Sequence, residues 1–116
     1  MHEFSLAAEV VKLARMEAEK NNARSVSEIT IEVGSLSGVE TEAFRSALSL
    51  LAEGSILENA HLNIVTINAI GVCIACEHNF EMEQRMRICP ECGSFPSEIR
   101  GGKEFRVVSL VIEEDE

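Results

Sequence analysis

The chain has 116 residues, of which 46% are hydrophobic and 26% are charged. These values are typical of one globular domain, with or without a small appendage, and exclude a disordered or fibrous protein. Ten Lys and Arg residues against twenty Asp and Glu residues give a formal net charge of −10, which disfavours non-specific nucleic-acid binding and suits cations or basic protein patches as partners. We expect neither a secretory signal nor a membrane-spanning segment, and therefore a cytoplasmic location.

The first half of the chain predicts a helix, a strand and a second helix. Apolar residues recur at helical spacing over residues 3–21 and again over residues 39–53. Between these helices, apolar and polar residues alternate over residues 26–33, as in a strand with one buried face.

The second predicted helix has two candidate N-caps. Ser37 with Glu40 fits a capping box, in which each side chain satisfies a backbone amide of the first turn. Thr41 is the rival candidate, because its hydroxyl is also a good cap.

The second half of the chain predicts two further strands around a segment of different composition. Residues 61–70 and 105–112 are rich in Val, Ile and Leu. The later strand is apolar on both faces at its centre, which is typical of a covered or central strand. The acidic end, residues 113–116, is expected to fray. Residues 71–102, which lie between the two strands, contain all four cysteines of the chain.

The cysteines form two Cys-x-x-Cys pairs, and this pattern predicts a tetrahedral Zn²⁺ site. They are Cys73, Cys76, Cys89 and Cys92. Four thiolates leave no open coordination position, so the predicted role of the zinc is structural. The intervening residues 80–87 show little core of their own and are expected to be disordered without metal. The alternative is a redox dithiol, which normally uses one pair at a helix N-terminus.

Together these elements predict an α+β fold, with two helices packed on a three-stranded sheet and a zinc-ribbon module inserted before the last strand. The predicted domains are residues 1–70 plus 103–116, and residues 71–102. The ribbon carries five Glu against three Arg, so we do not expect it to bind nucleic acid.

The N-terminus carries a second candidate metal site. The α-amino group of Met1, the following backbone amides, the His2 imidazole and the Glu3 carboxylate can converge on one ion. Such nitrogen and oxygen ligands suit square-planar or tetragonal Ni(II) or Cu(II), and intrinsic affinity favours copper. The alternative is that His2 is only a solvated residue. His61 and His78 are expected at the surface, with His78 also a candidate auxiliary ligand.

Three stretches together carry a resemblance that extends over nearly the whole chain. They are Met1-His2-Glu3, the motifs Cys73-Ile-Ala-Cys76 and Cys89-Pro-Glu-Cys92-Gly-Ser, and the run Gly102-Lys-Glu-Phe-Arg-Val into the last strand. In these stretches the chain resembles the HypA/HybF family of hydrogenase-maturation nickel metallochaperones.

The resemblance implies that Met1, His2 and Glu3 bind Ni(II) weakly as transient cargo in the α/β domain. It implies structural Zn(II) in the ribbon, held by Cys73, Cys76, Cys89 and Cys92. The implied partners are a hydrogenase-maturation GTPase and the precursor of the [NiFe]-hydrogenase large subunit, and some members also serve urease. A carrier of this kind is not an enzyme.

The chain departs from the family pattern in two places. Glu77 follows Cys76 where the family usually has Gly or a small turn residue, and the longer zinc segment with a nickel-reaching His found in some relatives is missing. Two rival functions stay open at this point. One is a zinc-ribbon adaptor that binds proteins without delivering nickel, and the other is a thiol redox enzyme.

Overall fold

Two helices and six strands follow one another in this computed structural model, which describes residues 2–114. In chain order they are α1 (Glu3–Lys20), β1 (Ala23–Gly34), α2 (Thr41–Ala52), β2 (His61–Ile67), β3 (Ala69–Cys73), β4 (Asn79–Met82), β5 (Pro96–Arg100) and β6 (Phe105–Glu114). The strands form two three-stranded sheets, in the orders β2-β1-β6 and β4-β3-β5. The predicted α+β class is confirmed, and the segment inserted before the last strand forms a sheet of its own.

The described residues divide into two compact units. The first, called here the helical unit, takes in the chain up to Ile31, residues 39–65, and the chain from Arg106 onward. The second, called the ribbon unit, takes in residues 32–38 and 66–105. Neither helix in the described part of the chain is both long enough and apolar enough to cross a membrane.

The helical unit buries one face of each helix, and α1 contacts α2. The buried face of α1 is made mainly of alanine, so larger side chains from α2 and β1 supply most of the core volume. The buried side chains are Ala7, Val10, Ala14 and Ala18 of α1, Phe44, Leu48 and Ala52 of α2, and Val26, Ile29 and Ile31 of β1.

The start of α2 differs from the prediction, because Glu40 is its N-cap. The Oε2 atom of Glu40 accepts a hydrogen bond from the backbone amide of Ala43 at 2.9 Å. The predicted caps Ser37 and Thr41 were both wrong. The Ser37 amide donates to the Gly34 carbonyl in a turn, and Thr41 is already the first helical residue. A carboxylate therefore has the role that the sequence assigned to a hydroxyl.

The single strand predicted over residues 61–70 is in fact two strands in different sheets. β2 belongs to the first sheet and β3 to the second, with Asn68 between them. The side chain of Asn68 donates a hydrogen bond to the Glu81 carboxylate at 3.0 Å. The prediction was wrong because one polar residue in an apolar run is also ordinary on the wet face of a continuous strand.

The residues that follow β1 are hydrogen-bonded into the ribbon unit. The Ser35 hydroxyl donates to the Met82 carbonyl at 2.7 Å and accepts from the Ala69 amide at 3.0 Å. The Gly34 amide donates to the Glu104 carbonyl at 2.6 Å. This segment is therefore fixed to the start of β3, the end of β4 and the residue before β6.

β6 lies at the edge of the first sheet, and β1 has the central place. The sequence predicted a covered or central strand over residues 105–112. This was wrong, because Val108 and Val111 remain nearly half exposed, and apolar composition alone does not distinguish an edge from a centre. Of the acidic end expected to fray, residues 113–116, the first two belong to β6 and the last two lie outside the described residues.

The ribbon unit has a small apolar core that the sequence analysis missed. Its buried residues are Leu36, Ala69, Cys73, Phe80, Met82 and Cys89. Residues 80–87 were expected to contribute little, but β4 turns Phe80 and Met82 inward. Gly71 makes room for them, because a Cβ atom there would lie 2.8 Å from the Met82 sulfur and 2.9 Å from the Phe80 ring. The core of this unit therefore does not depend on the thiols alone.

We expect Met82→Ala to destabilise the ribbon unit by about 2–4 kcal/mol, because it leaves a cavity at a fully buried position. The matched control is Met86→Ala, since Met86 is 78% exposed and its truncation should change stability by less than about 0.5 kcal/mol. Denaturant unfolding of the metal-loaded protein gives both values. Equal effects of the two substitutions would contradict the assigned core.

Candidate metal centre

Two similar turns carry the four cysteines. The first begins with Cys73 at the end of β3, and the second lies between β4 and β5. In each turn a backbone amide four residues on closes the loop: Glu77 donates to the Cys73 carbonyl at 3.2 Å, and Gly93 to the Cys89 carbonyl at 2.9 Å. Both closing residues have left-handed φ angles, 62° at Glu77 and 79° at Gly93. Gly93 reaches this angle with the freedom of glycine, whereas Glu77 adopts it without that freedom.

Backbone amides in both turns point at sulfur. The amides of Ala75 and Cys76 lie 3.3 and 3.5 Å from the Sγ atom of Cys73. The amide of Glu91 lies 3.4 Å from the Sγ atom of Cys89. Such hydrogen bonds favour a thiolate over a thiol, which is the form that a metal binds.

The turns bring all four sulfur atoms within 4.8 Å of one another. The Sγ atoms of Cys73 and Cys92 are 3.3 Å apart, and those of Cys76 and Cys89 are 3.7 Å apart. A tetrahedron with Zn–S bonds of about 2.3 Å has sulfur–sulfur edges of about 3.8 Å. The donor type, number and spacing therefore fit zinc with no open coordination position.

The electrostatics of the cluster also favour a bound cation. The Cys76 amide, followed by that of Ala75, lowers the pKa of the Cys73 thiol to about 6. At Cys76 the amide of His78 favours the thiolate, but desolvation and the neighbouring thiols raise the pKa to about 12. Four thiols at this spacing cannot all lose their protons unless a cation offsets the repulsion.

The second candidate site lies at the start of α1, where His2 and Glu3 are described and Met1 lies outside the described residues. His2 is exposed and is the N-cap residue, with its carbonyl accepting from the Leu6 amide at 2.9 Å. Its imidazole makes no capping hydrogen bond. Helix geometry also gives the first amides of α1 no acceptor within the helix. The His2 side chain is therefore accessible to an ion from solvent.

The carboxylate of Glu3 is held by the start of α2. Its Oε2 atom accepts a hydrogen bond from the Glu40 amide at 3.0 Å, which lowers the pKa of the Glu3 carboxyl. The sequence analysis gave Glu40 only a capping role and missed this contact. No local pattern reveals it, because the two residues are 37 positions apart.

The other histidines lie where the sequence placed them. His61 opens β2 and His78 follows the first cysteine turn, and both are exposed. Within residues 2–114, the grouped metal-ligand side chains are the four cysteines, and His78 is not brought into that group. The sequence therefore located the thiol cluster completely.

The chain matches proteins of one family over nearly its whole length. A family model described as "Hydrogenase/urease nickel incorporation, metallochaperone, hypA" matches residues 1–112. A protein of Francisella philomiragia named Hydrogenase maturation factor HypA is 44% identical over 111 residues, 96% of this chain and 98% of that protein. A protein of the same name from Parabacteroides distasonis is 40% identical over 115 residues, 99% of this chain and 100% of that protein.

A solved structure shows the same fold. It is the solution structure of the Ni metallochaperone HypA from Helicobacter pylori, with a TM-score of 0.66 and 28% sequence identity. The match covers 99% of this chain and 100% of that one. On the family model, the curated relatives and this structure, the chain belongs to the HypA family.

Proposed function

We propose that this protein is a nickel metallochaperone of hydrogenase maturation that binds Ni(II) at its N-terminus and releases it to a client. The observation that carries the proposal is the exposed His2 at the N-cap of α1, in a chain that matches the HypA model from residue 1. The ligands are the Met1 amine, the His2 imidazole and Glu3, joined by backbone amide nitrogens. This donor set suits Ni(II) in a square-planar or tetragonal geometry.

The exposure of His2 supports delivery as well as binding. A metallochaperone has to release its cargo, and a shallow site at a helix start allows ligand exchange without unfolding the core. Glu3 is the fixed part of the site, because its carboxylate is bonded to the start of α2. The carrier itself makes and breaks no covalent bond, so no catalytic residue is assigned.

We assign structural Zn²⁺ to Cys73, Cys76, Cys89 and Cys92, with four thiolates and no exchangeable position. The zinc would link the two cysteine turns and so fix the end of the ribbon sheet. We assign the nickel site to the predicted domain of residues 1–70 plus 103–116, and the zinc site to the predicted domain of residues 71–102. The two metals thus have separate roles, cargo and scaffold.

The proposed partners follow from the family. They are a hydrogenase-maturation GTPase and the precursor of the [NiFe]-hydrogenase large subunit, with urease maturation proteins as further candidates. The proposed location is the cytoplasm. The net charge of −10 supports partners with basic patches and opposes nucleic acids and anionic membranes.

Nickel titration of the zinc-loaded protein tests the proposed cargo site. We expect saturable binding near one Ni(II) per chain with the native N-terminus. Binding should be lost with an N-terminal extension and with His2→Ala, because each removes a nitrogen ligand. His61→Ala is the matched control, since His61 is also exposed but lies in β2.

Equal nickel binding by the native and extended forms would show that nickel binds somewhere other than Met1, His2 and Glu3. No binding by either form would favour the zinc-ribbon adaptor.

Zinc content measured under reducing conditions tests the scaffold role. Wild-type protein should contain one zinc per chain, and Cys73→Ser should lose it, since three thiolates and a hydroxyl bind zinc poorly. Loss of metal should unfold the cysteine turns while the helical signal in circular dichroism persists. Re-addition of zinc after chelation should restore the wild type but not the variant. Wild-type protein with four free thiols and no zinc would instead support the redox function.

A further inference from the structure

Two large apolar side chains project into solvent beside the thiol cluster. Ile74 lies between the cysteines of the first turn and is 68% exposed, and Phe95 follows the second turn and is 65% exposed. Their backbones are bonded to each other, with the Ile74 amide donating to the Phe95 carbonyl at 3.2 Å. We call residues 74–77 together with 91–95 the ribbon tip. It combines an apolar pair with the end of the unit where the metal binds.

Neither folding nor metal binding explains this apolar pair. Neither side chain belongs to the buried core of the ribbon unit, which is formed by other residues such as Leu36, Phe80 and Met82. The cysteine turn does not need a large branched side chain at its second position either, because the second turn has Pro90 there. Neighbouring exposed apolar side chains with polar surroundings are typical of protein interaction sites.

The charge around the pair defines what would bind. One Zn²⁺ with four thiolates carries a net charge of about −2. Glu77 and Glu91, both exposed, stand in the two turns. The exposed base Arg87 lies two residues before Cys89, whereas Arg85 lines a separate cavity of the same unit with Leu36 and Lys103. The charged side chains of the ribbon tip itself are therefore both acidic, and together with the proposed zinc–thiolate centre they outweigh the positive charge of Arg87. This balance would attract lysine or arginine and repel an acidic segment.

We propose that the ribbon tip is a docking site for a partner segment in which an apolar anchor is flanked by lysine or arginine. The anchor packs on Ile74 and Phe95, and the basic side chains face Glu77, Glu91 and the zinc–thiolate centre. The proposal rests on the zinc assignment made above. It goes beyond that assignment because it gives the ribbon a recognition role and names the chemistry of what it recognises.

Nuclear magnetic resonance of zinc-loaded, ¹⁵N-labelled protein tests this proposal with a short synthetic peptide. In the peptide a Leu-Phe pair is flanked on both sides by lysines. One control peptide replaces the lysines with glutamates, and another replaces Leu-Phe with Ser-Ser. We expect saturable amide shifts confined to residues 74–77 and 91–95 with the first peptide, and at least about tenfold weaker binding of each control.

Substitutions in the ribbon tip test whether the peptide binds there. Ile74→Ser with Phe95→Ser should weaken peptide binding by about tenfold or more, since it removes the apolar anchor site. Leu50→Ser on α2 is the matched control, because Leu50 is 62% exposed and lies in the helical unit. Glu77→Gln with Glu91→Gln removes the charges without removing apolar surface, and should weaken binding and reduce its dependence on salt.

Several results would overturn the proposal. These are equal binding of the lysine and glutamate peptides, shifts spread over the helical unit, or an affinity unaffected by the paired serine variant. If sedimentation shows a wild-type dimer that this variant dissociates, the occupant is a second copy of the chain instead. Duplex DNA that binds at the tip more tightly than the peptide would contradict the predicted charge preference.

Metal measurements on the same samples separate this proposal from the proposed function. Variants of the tip should keep one zinc and the N-terminal nickel site, and His2→Ala should keep peptide binding. If wild-type protein holds both metals but does not bind the lysine peptide, the docking proposal is overturned and the proposed function is not. Wild-type protein that lacks zinc overturns the scaffold assignment first. If the serine variant does not hold zinc, the three peptides on wild-type protein still decide the question.

Discussion

The two cysteine turns of the ribbon unit depend on one constraint, the convergence of four thiols on a single point. β3 makes this possible, because it pairs antiparallel with both β4 and β5 and leads directly into the first cysteine turn. The sheet therefore sets the two turns against each other and places the sulfur atoms within 4.8 Å. The repulsion between thiolates at that distance has to be offset, and a divalent cation would offset it while linking the turns.

The proposed nickel site contrasts with this centre in every physical respect. The proposed zinc site would be closed, since four soft thiolates that are partly buried in a core favour retention of the metal. The proposed nickel site would consist of nitrogen and oxygen donors at an exposed helix start, which favours exchange. The two sites also lie in different units. Such a division suits a carrier, since cargo is exchanged at one place while the scaffold stays intact at another.

Sequence patterns predicted which thiols lie together better than they predicted the arrangement of the strands. Cysteine spacing located all four thiols, because two short pairs define a metal site locally. Strand pairing is set by tertiary contacts, so the separation of β2 from β3 at Asn68 and the edge position of β6 were both missed. The alternation that buries Phe80 and Met82 was present in the sequence, but it was too short to distinguish a strand from a loop. The Glu3–Glu40 contact joins distant residues that no periodicity relates.

X-ray absorption at the nickel and zinc edges of protein loaded with both metals tests the central claim most directly. The account predicts a nickel shell of nitrogen and oxygen atoms only. It also predicts a zinc shell of four sulfur atoms at about 2.3 Å that does not change when nickel is added. Sulfur in the nickel shell, or loss of sulfur from the zinc shell on nickel loading, would show that the thiols carry the cargo and would contradict the separation of the two sites.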